Sequence, residues 1–129
     1  METIPNMHDP YQEFLSRKVR VASLDGFHVD DSDVHPILKP HQRAGVVWAC
    51  QGGRRALFEA FGLGKSVQQI EILRLCRRHA GGAVLVVCPL GVRQEFKRDA
   101  EMLGVQTRFI RASAEIDTEF DGLHLTNYE

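Results

Sequence analysis

The chain has 129 residues, 43% of them hydrophobic and 26% charged, with a formal net charge of −1. That composition is ordinary for a globular domain and excludes a disordered, fibrous or uniformly basic protein. No stretch reaches the roughly 18 apolar residues that span a bilayer, and Met1-Glu2-Thr3-Ile4-Pro5 lacks the basic and apolar segments of a secretory signal, so a cytoplasmic location is expected. Cys50, Cys76 and Cys88 are odd in number and widely spaced, which predicts buried free thiols rather than a metal knuckle or a disulfide framework.

Residues 1–36 carry seven acids against three bases. They contain one helix-like stretch, Tyr11 to Val21, and then the turn-rich acidic run from Asp25 to Asp33, which together read as an appendage and linker. Residues 37–111 reverse the balance, with thirteen bases against five acids. A compact domain is expected over 37–129. Pro40 suits a first helical position, and Gln42, Val46, Val47 and Trp48 continue a helix with one apolar face as far as Gly52-Gly53.

Arg55-Ala56-Leu57-Phe58 is a short strand candidate, followed by a glycine-rich turn and a helix from Lys65 to Arg78 with Val67, Ile70, Leu73 and Cys76 on one face. The unbroken apolar run Ala83 to Cys88 fits a strand buried on both faces of a parallel sheet. A helix over about Val92 to Leu103 and strands at Thr107–Ile110 and Leu123–Thr126 follow. Strands alternating with helices predict an α/β fold: a parallel sheet flanked by helices.

Strand candidate, Gly62-Leu63-Gly64-Lys65-Ser66 and helix together read as a phosphate-binding loop, the alternative being a glycine-rich turn followed by an ordinary surface lysine. Gly62 and Gly64 let the backbone approach phosphate oxygens, Lys65 reaches the β and γ phosphates, and the Ser66 hydroxyl ligates Mg2+. The free amides at the helix start add a fixed positive field. The usual first glycine of such a loop is replaced by Glu59, either a solvated turn carboxylate or a group acting near the metal and the attacking water.

From Leu38 to Glu129 the chain resembles the first RecA-like domain of superfamily 2 helicases, in particular Swi/Snf-like DNA translocases and related phage-type helicases. Residues Glu59 to Ser66 look like a variant of that family's acidic D-E-M-G-L-G-K-T loop. Leu38-Lys39-Pro40-His41-Gln42 resembles the Q motif, in which Gln42 would read adenine. Residues 87–96 resemble motif Ia and residues 125–129 motif Ib, which implies nucleic-acid contacts at Arg93, Lys97 and Thr126. The Tyr11–Lys18 stretch resembles the lead-in of phage-type members.

The resemblance implies a P-loop NTPase that binds ATP and Mg2+ through Gln42, Gly62, Leu63, Gly64, Lys65 and Ser66, with Lys65 and Glu59 catalytic, and couples hydrolysis to movement on DNA. The sequence reaches Glu129 before any acidic D-E-x-H-like box and without a second RecA-like domain. The 129 residues alone are therefore expected to bind ATP weakly without unwinding or translocating, and to expose apolar sheet edges around Leu57 and Val84–Cys88. A small P-loop kinase or transferase, which would make the Q-like and Ia-like segments coincidental, and a nonenzymatic nucleotide-binding module are the alternatives.

Overall fold

In the computed structural model, which describes residues 9–18, 24–59 and 64–128, two helices begin at a proline, whose fixed φ and missing N–H suit a first helical turn. Helix α1 spans Pro10–Lys18, and the Asp9 carboxylate accepts the Tyr11 N–H at 3.0 Å, satisfying one of the amides left open at a helix start. The predicted continuation of this helix to Val21 lies outside the described residues. Helix α2 spans Pro40–Gly52. Its entry is pinned by Gln42, whose Oε1 accepts the Lys39 N–H at 2.9 Å.

Helix α3 spans Lys65–Ala80 and carries Arg77, Arg78 and His79 in its last turn, where cations meet the negative end of the helix dipole. Helix α4 covers Arg93–Met102. Strands β1 (Val84–Val87), β2 (Gln106–Phe109) and β3 (Gly122–Thr126) form a parallel sheet in the order β1-β3-β2. Residues 110–121 make the return from β2 to β3, about the dozen residues a parallel crossover needs. The expected parallel sheet with flanking helices is thus present.

One face of the sheet is covered by helices. Val86 lies opposite Leu125 in register, and both join Ile70, Val67, Phe96 and Ala100 in a single buried cluster. Ile70 is fully buried, a burial that contributes about 1.5–3 kcal/mol. The other face is covered at β3, where His124 Nε2 accepts the Asp117 N–H at 3.1 Å and the His124 ring packs edge-on to Phe120. Beside it, Leu85 and Val87 stay 43% and 55% exposed. The run 83–88 is therefore buried on one face, not both.

Two further expectations are corrected. Arg55–Phe58 forms no strand: a strand needs a neighbour for its N–H and C=O groups, whereas Ala56 and Leu57 line a cavity of about 380 Å³ with Leu85 and Val87, and Phe58 is 96% exposed. In α3 the buried positions are Val67, Gln68, Ile70, Glu71 and Leu75, a face that takes in two polar residues because α2 and α4 both pack against this helix. Leu73 and Cys76 are only half-buried. Cys50, buried in α2, is hydrogen-bonded to Cys76 of α3, which with burial pushes its thiol pKa up; all three cysteines are free.

The acidic segment read as a linker is docked. The N–H groups of Asp25, Gly26 and Phe27 donate to carbonyls of Gly52, Gln51 and Cys50, Phe27 stacks on His79 at 4.3 Å, and Val29 and Val34 belong to the core cluster. Arg43 forks onto the Asp31 carboxylate with two bonds of 3.0 Å, and Arg78 reaches Asp33 at 2.8 Å. Buried Glu71 accepts the His35 N–H at 2.7 Å and pairs with Arg74, which also donates to the Asp33 carbonyl.

The hydrogen bonds from Arg43 hold the Asp31 carboxyl below its usual 3.8. For Asp33 the Asp30 N–H has the larger lowering effect and Arg78 the next. Both folded values lie below the unfolded ones, so this contribution is complete above about pH 4 and is lost as pH falls through the lowered folded values. Hydrogen exchange should report weaker protection of the Phe27 and Val34 amides below that range in the unaltered chain, with the pH dependence reduced in Asp31→Asn. An identical acid profile in both chains would contradict the clamp.

Candidate nucleotide and nucleic-acid site

Residue Gly64 caps α3 at φ 74° and ψ 46°, left-handed backbone that costs a residue with a Cβ roughly 1–2 kcal/mol. Space imposes the same choice, because a Cβ at Gly64 would lie 2.2 Å from Gln42 Nε2. The Q-like glutamine therefore touches the loop glycine directly. Its side chain is buried, with Oε1 on the Lys39 N–H, so Gln42 both caps its own helix and abuts the start of α3. Gly62 and Leu63 lie outside the described residues.

Lys65 Nζ donates to the Glu59 carbonyl at 2.7 Å, bringing the ammonium back across the loop. The Glu59 carboxylate accepts from Gln68 Nε2 at 2.8 Å. Gln68 is fully buried, and a Cβ at Gly45 would lie 2.5 Å from its Oε1, so α2 approaches α3 closely there only because residue 45 is glycine. Ser66 Oγ donates to Asp99 Oδ2 of α4 at 2.5 Å. Gln42, Glu59, Gly64 and Lys65 are brought together around the start of α3, and Ser66 points to the neighbouring helix.

A second feature sits where the three strands end. A cavity of about 350 Å³ is lined by Leu90, Arg93, Phe109, Arg111, Thr126 and Asn127. These residues follow or close β1, β2 and β3 at their carboxyl ends, the side of an open α/β sheet where ligands bind. The Arg93 guanidinium lies 4.5 Å from the centre of the Phe109 ring, a cation–π contact that orients it. Glu115 accepts the N–H groups of Arg111 and Ala112 at 2.7 and 2.8 Å, fixing the loop that carries Arg111. Those two bonds also hold the Glu115 carboxyl below its usual value.

Arg93 and Thr126, predicted separately, thus line one cavity. Lys97, one turn along α4, is exposed and outside that lining. Sequence reasoning passed over Arg111, whose available signal was a cation just past a strand's carboxyl end. It also passed over Gln68 and Asp99, whose roles arise from contacts across 9 and 33 residues. Among the described residues no group of three or more His, Cys, Asp or Glu side chains could hold a metal ion, and no helix is long and apolar enough to cross a membrane.

No protein-family model matches the chain. It is 33% identical over 108 residues to Protein CHROMATIN REMODELING 19 of Arabidopsis thaliana, a match covering 75% of this chain and 14% of that protein. It is 37% identical over 82 residues to the SWI/SNF-related matrix-associated actin-dependent regulator of chromatin subfamily A-like protein 1 homolog of Caenorhabditis elegans, covering 63% of this chain and 12% of that one. The chain therefore spans about a seventh or less of the length of these relatives. At this modest identity the similarities support a relationship to Swi/Snf-like proteins of helicase superfamily 2.

Proposed function

We propose that the chain is the ATP-binding part of a DNA-dependent ATPase of the Swi/Snf-like branch of superfamily 2, a translocase or helicase in its whole form. The observation that carries this reading is the convergence at the start of α3: Gly64 in a left-handed cap against Gln42, followed by Lys65 and Ser66. Such a start directs its first N–H groups and the positive end of a helix dipole toward an anion. The matches to chromatin-remodelling relatives support the motor reading over a small kinase or a binding module.

The residues present fit Mg2+ and a triphosphate. In this reading the loop amides from Gly62 to Ser66 and the Lys65 ammonium hold the phosphates, Leu63 continues the loop backbone, and Gln42 sits at the adenine side. The Ser66 hydroxyl is a hard oxygen donor suited to magnesium, which when bound neutralises charge on the β and γ phosphates. Glu59, held by Gln68, would act near the metal and the attacking water. Lys65 leaves the Glu59 carbonyl to meet phosphate, exchanging one hydrogen bond for a charge-assisted one.

Arg93, Arg111 and Thr126 form the proposed contact with the DNA backbone, and Lys97 extends it along α4. Backbone contacts of this kind set affinity without reading base sequence. Motor activity belongs to the whole protein in this reading. A metal-linked carboxylate, a water-activating glutamate and an arginine from a second RecA-like domain would complete it; losing such an arginine alone costs about 10³–10⁵ in rate. The phage-type assignment is the narrower part of the proposal and rests on the resemblance of Tyr11–Lys18, within α1.

In a titration with a fluorescent ATP analogue and Mg2+, Lys65→Ala should weaken binding about 10- to 100-fold, the loss of one hydrogen bond to a charged group. Unchanged affinity would contradict the phosphate role. For a short DNA duplex, the slope of log K against log salt should fall by about 1 in Arg93→Ala and again in Arg111→Ala, one phosphate contact each. Slopes equal to that of the unaltered chain would remove the groove from the account.

A further inference from the structure

Asp99 stands in α4, 33 residues along the chain from Ser66, yet its Oδ2 accepts the Ser66 hydroxyl at 2.5 Å. That length is typical of a hydroxyl donating to a carboxylate, about 2.5–2.7 Å. Oδ1 lies 3.6 Å from the Nε of the exposed Arg98, and the Asp99 side chain is only 14% exposed. A serine hydroxyl has one proton and two lone pairs. With its proton committed to Asp99, Ser66 can offer only lone pairs to anything else that approaches.

We propose that Asp99 is a positioning residue for magnesium: by taking the Ser66 proton it turns the Ser66 lone pairs toward the cation that accompanies ATP. Asp99 acts through Ser66 and does not itself ligate the metal. Partners of this kind behind a ligand typically change metal affinity 10- to 100-fold when removed. The assignment rests on the nucleotide reading of Lys65 and Ser66. It also links α4, whose first residue Arg93 lines the groove at the strand ends, to the metal ligand by a single hydrogen bond.

The test is ATP binding by the full 129-residue chain, measured by calorimetry across a Mg2+ titration and again in EDTA. Asp99→Ala should raise the Mg2+ concentration for half-maximal enhancement of ATP binding about tenfold or more and leave affinity in EDTA within twofold. Asp99→Asn keeps the shape and an amide oxygen that can accept the hydroxyl proton, so it should recover part of the shift. In a Ser66→Ala background, Asp99→Ala should add nothing further.

An unshifted Mg2+ midpoint in Asp99→Ala would overturn the proposal. So would an equal loss of affinity with and without magnesium, which marks a merely structural prop, or an independent effect in the double variant. Absence of ATP binding by the unaltered chain would overturn the nucleotide reading and this role with it, whereas normal magnesium-dependent binding unaffected by Asp99→Ala would overturn this role alone.

Discussion

The contact between Gly64 and Gln42 is the constraint on which the rest of the arrangement depends. Gly64 is left-handed, and the Gln42 amide occupies the place a side chain there would need. Because Gln42 is the third residue of α2 and is bonded to the Lys39 N–H, one glycine fixes the start of α3 against the start of α2. The first turn of α3 is aimed by that junction, and Lys65 and Ser66 follow from it as the next two residues. Ser66 then meets Asp99 of α4, and α4 begins with the arginine that lines the groove.

Charge is distributed along α3 in a way that separates scaffold from site. Arg74 and Arg78, toward the carboxyl end of the helix, are engaged by Glu71 and Asp33, and Arg77 by Asp121. Arg43 of α2 is engaged by Asp31. The acidic segment before α2 thus engages two of these arginines, Arg43 and Arg78, and surface pairs of this kind contribute little to stability individually. What they achieve is registration: the segment is held over the α2–α3 interface, burying Val29 and Val34. Arg93 and Arg111 stand instead at the strand ends, where an anion can approach.

Much of the fold was legible because its signals are local. Pro40 announces α2, the apolar spacing announces α3 and α4, and the strand positions at 84–87, 106–109 and 122–126 lie within a residue or so of those read from pattern. The failures share one cause. Arg55–Phe58 has the composition of a strand but does not join the β1-β3-β2 sheet, and the run 83–88 looks doubly buried but has helices on one side. Pairing and burial depend on what lies across space, which a window of a few residues does not contain. The docking of the acidic run from Asp25 to Asp33 was out of reach for the same reason, since Asp31 and Asp33 find their arginines in α2 and α3. Around the start of α3, Gly64 and Lys65 were singled out by spacing, whereas Asp99 and Arg111 became visible only through contact and position.

The central claim is that the start of α3 binds a nucleotide's phosphates, and hydrogen exchange of the 129-residue chain with and without Mg2+–ATP tests it most directly. The account predicts slowed exchange concentrated in residues 62–68 and at Gln42, with the Arg74–Ala80 end of the same helix unchanged. No protection at the start of α3, or protection confined to another part of the chain, would contradict it.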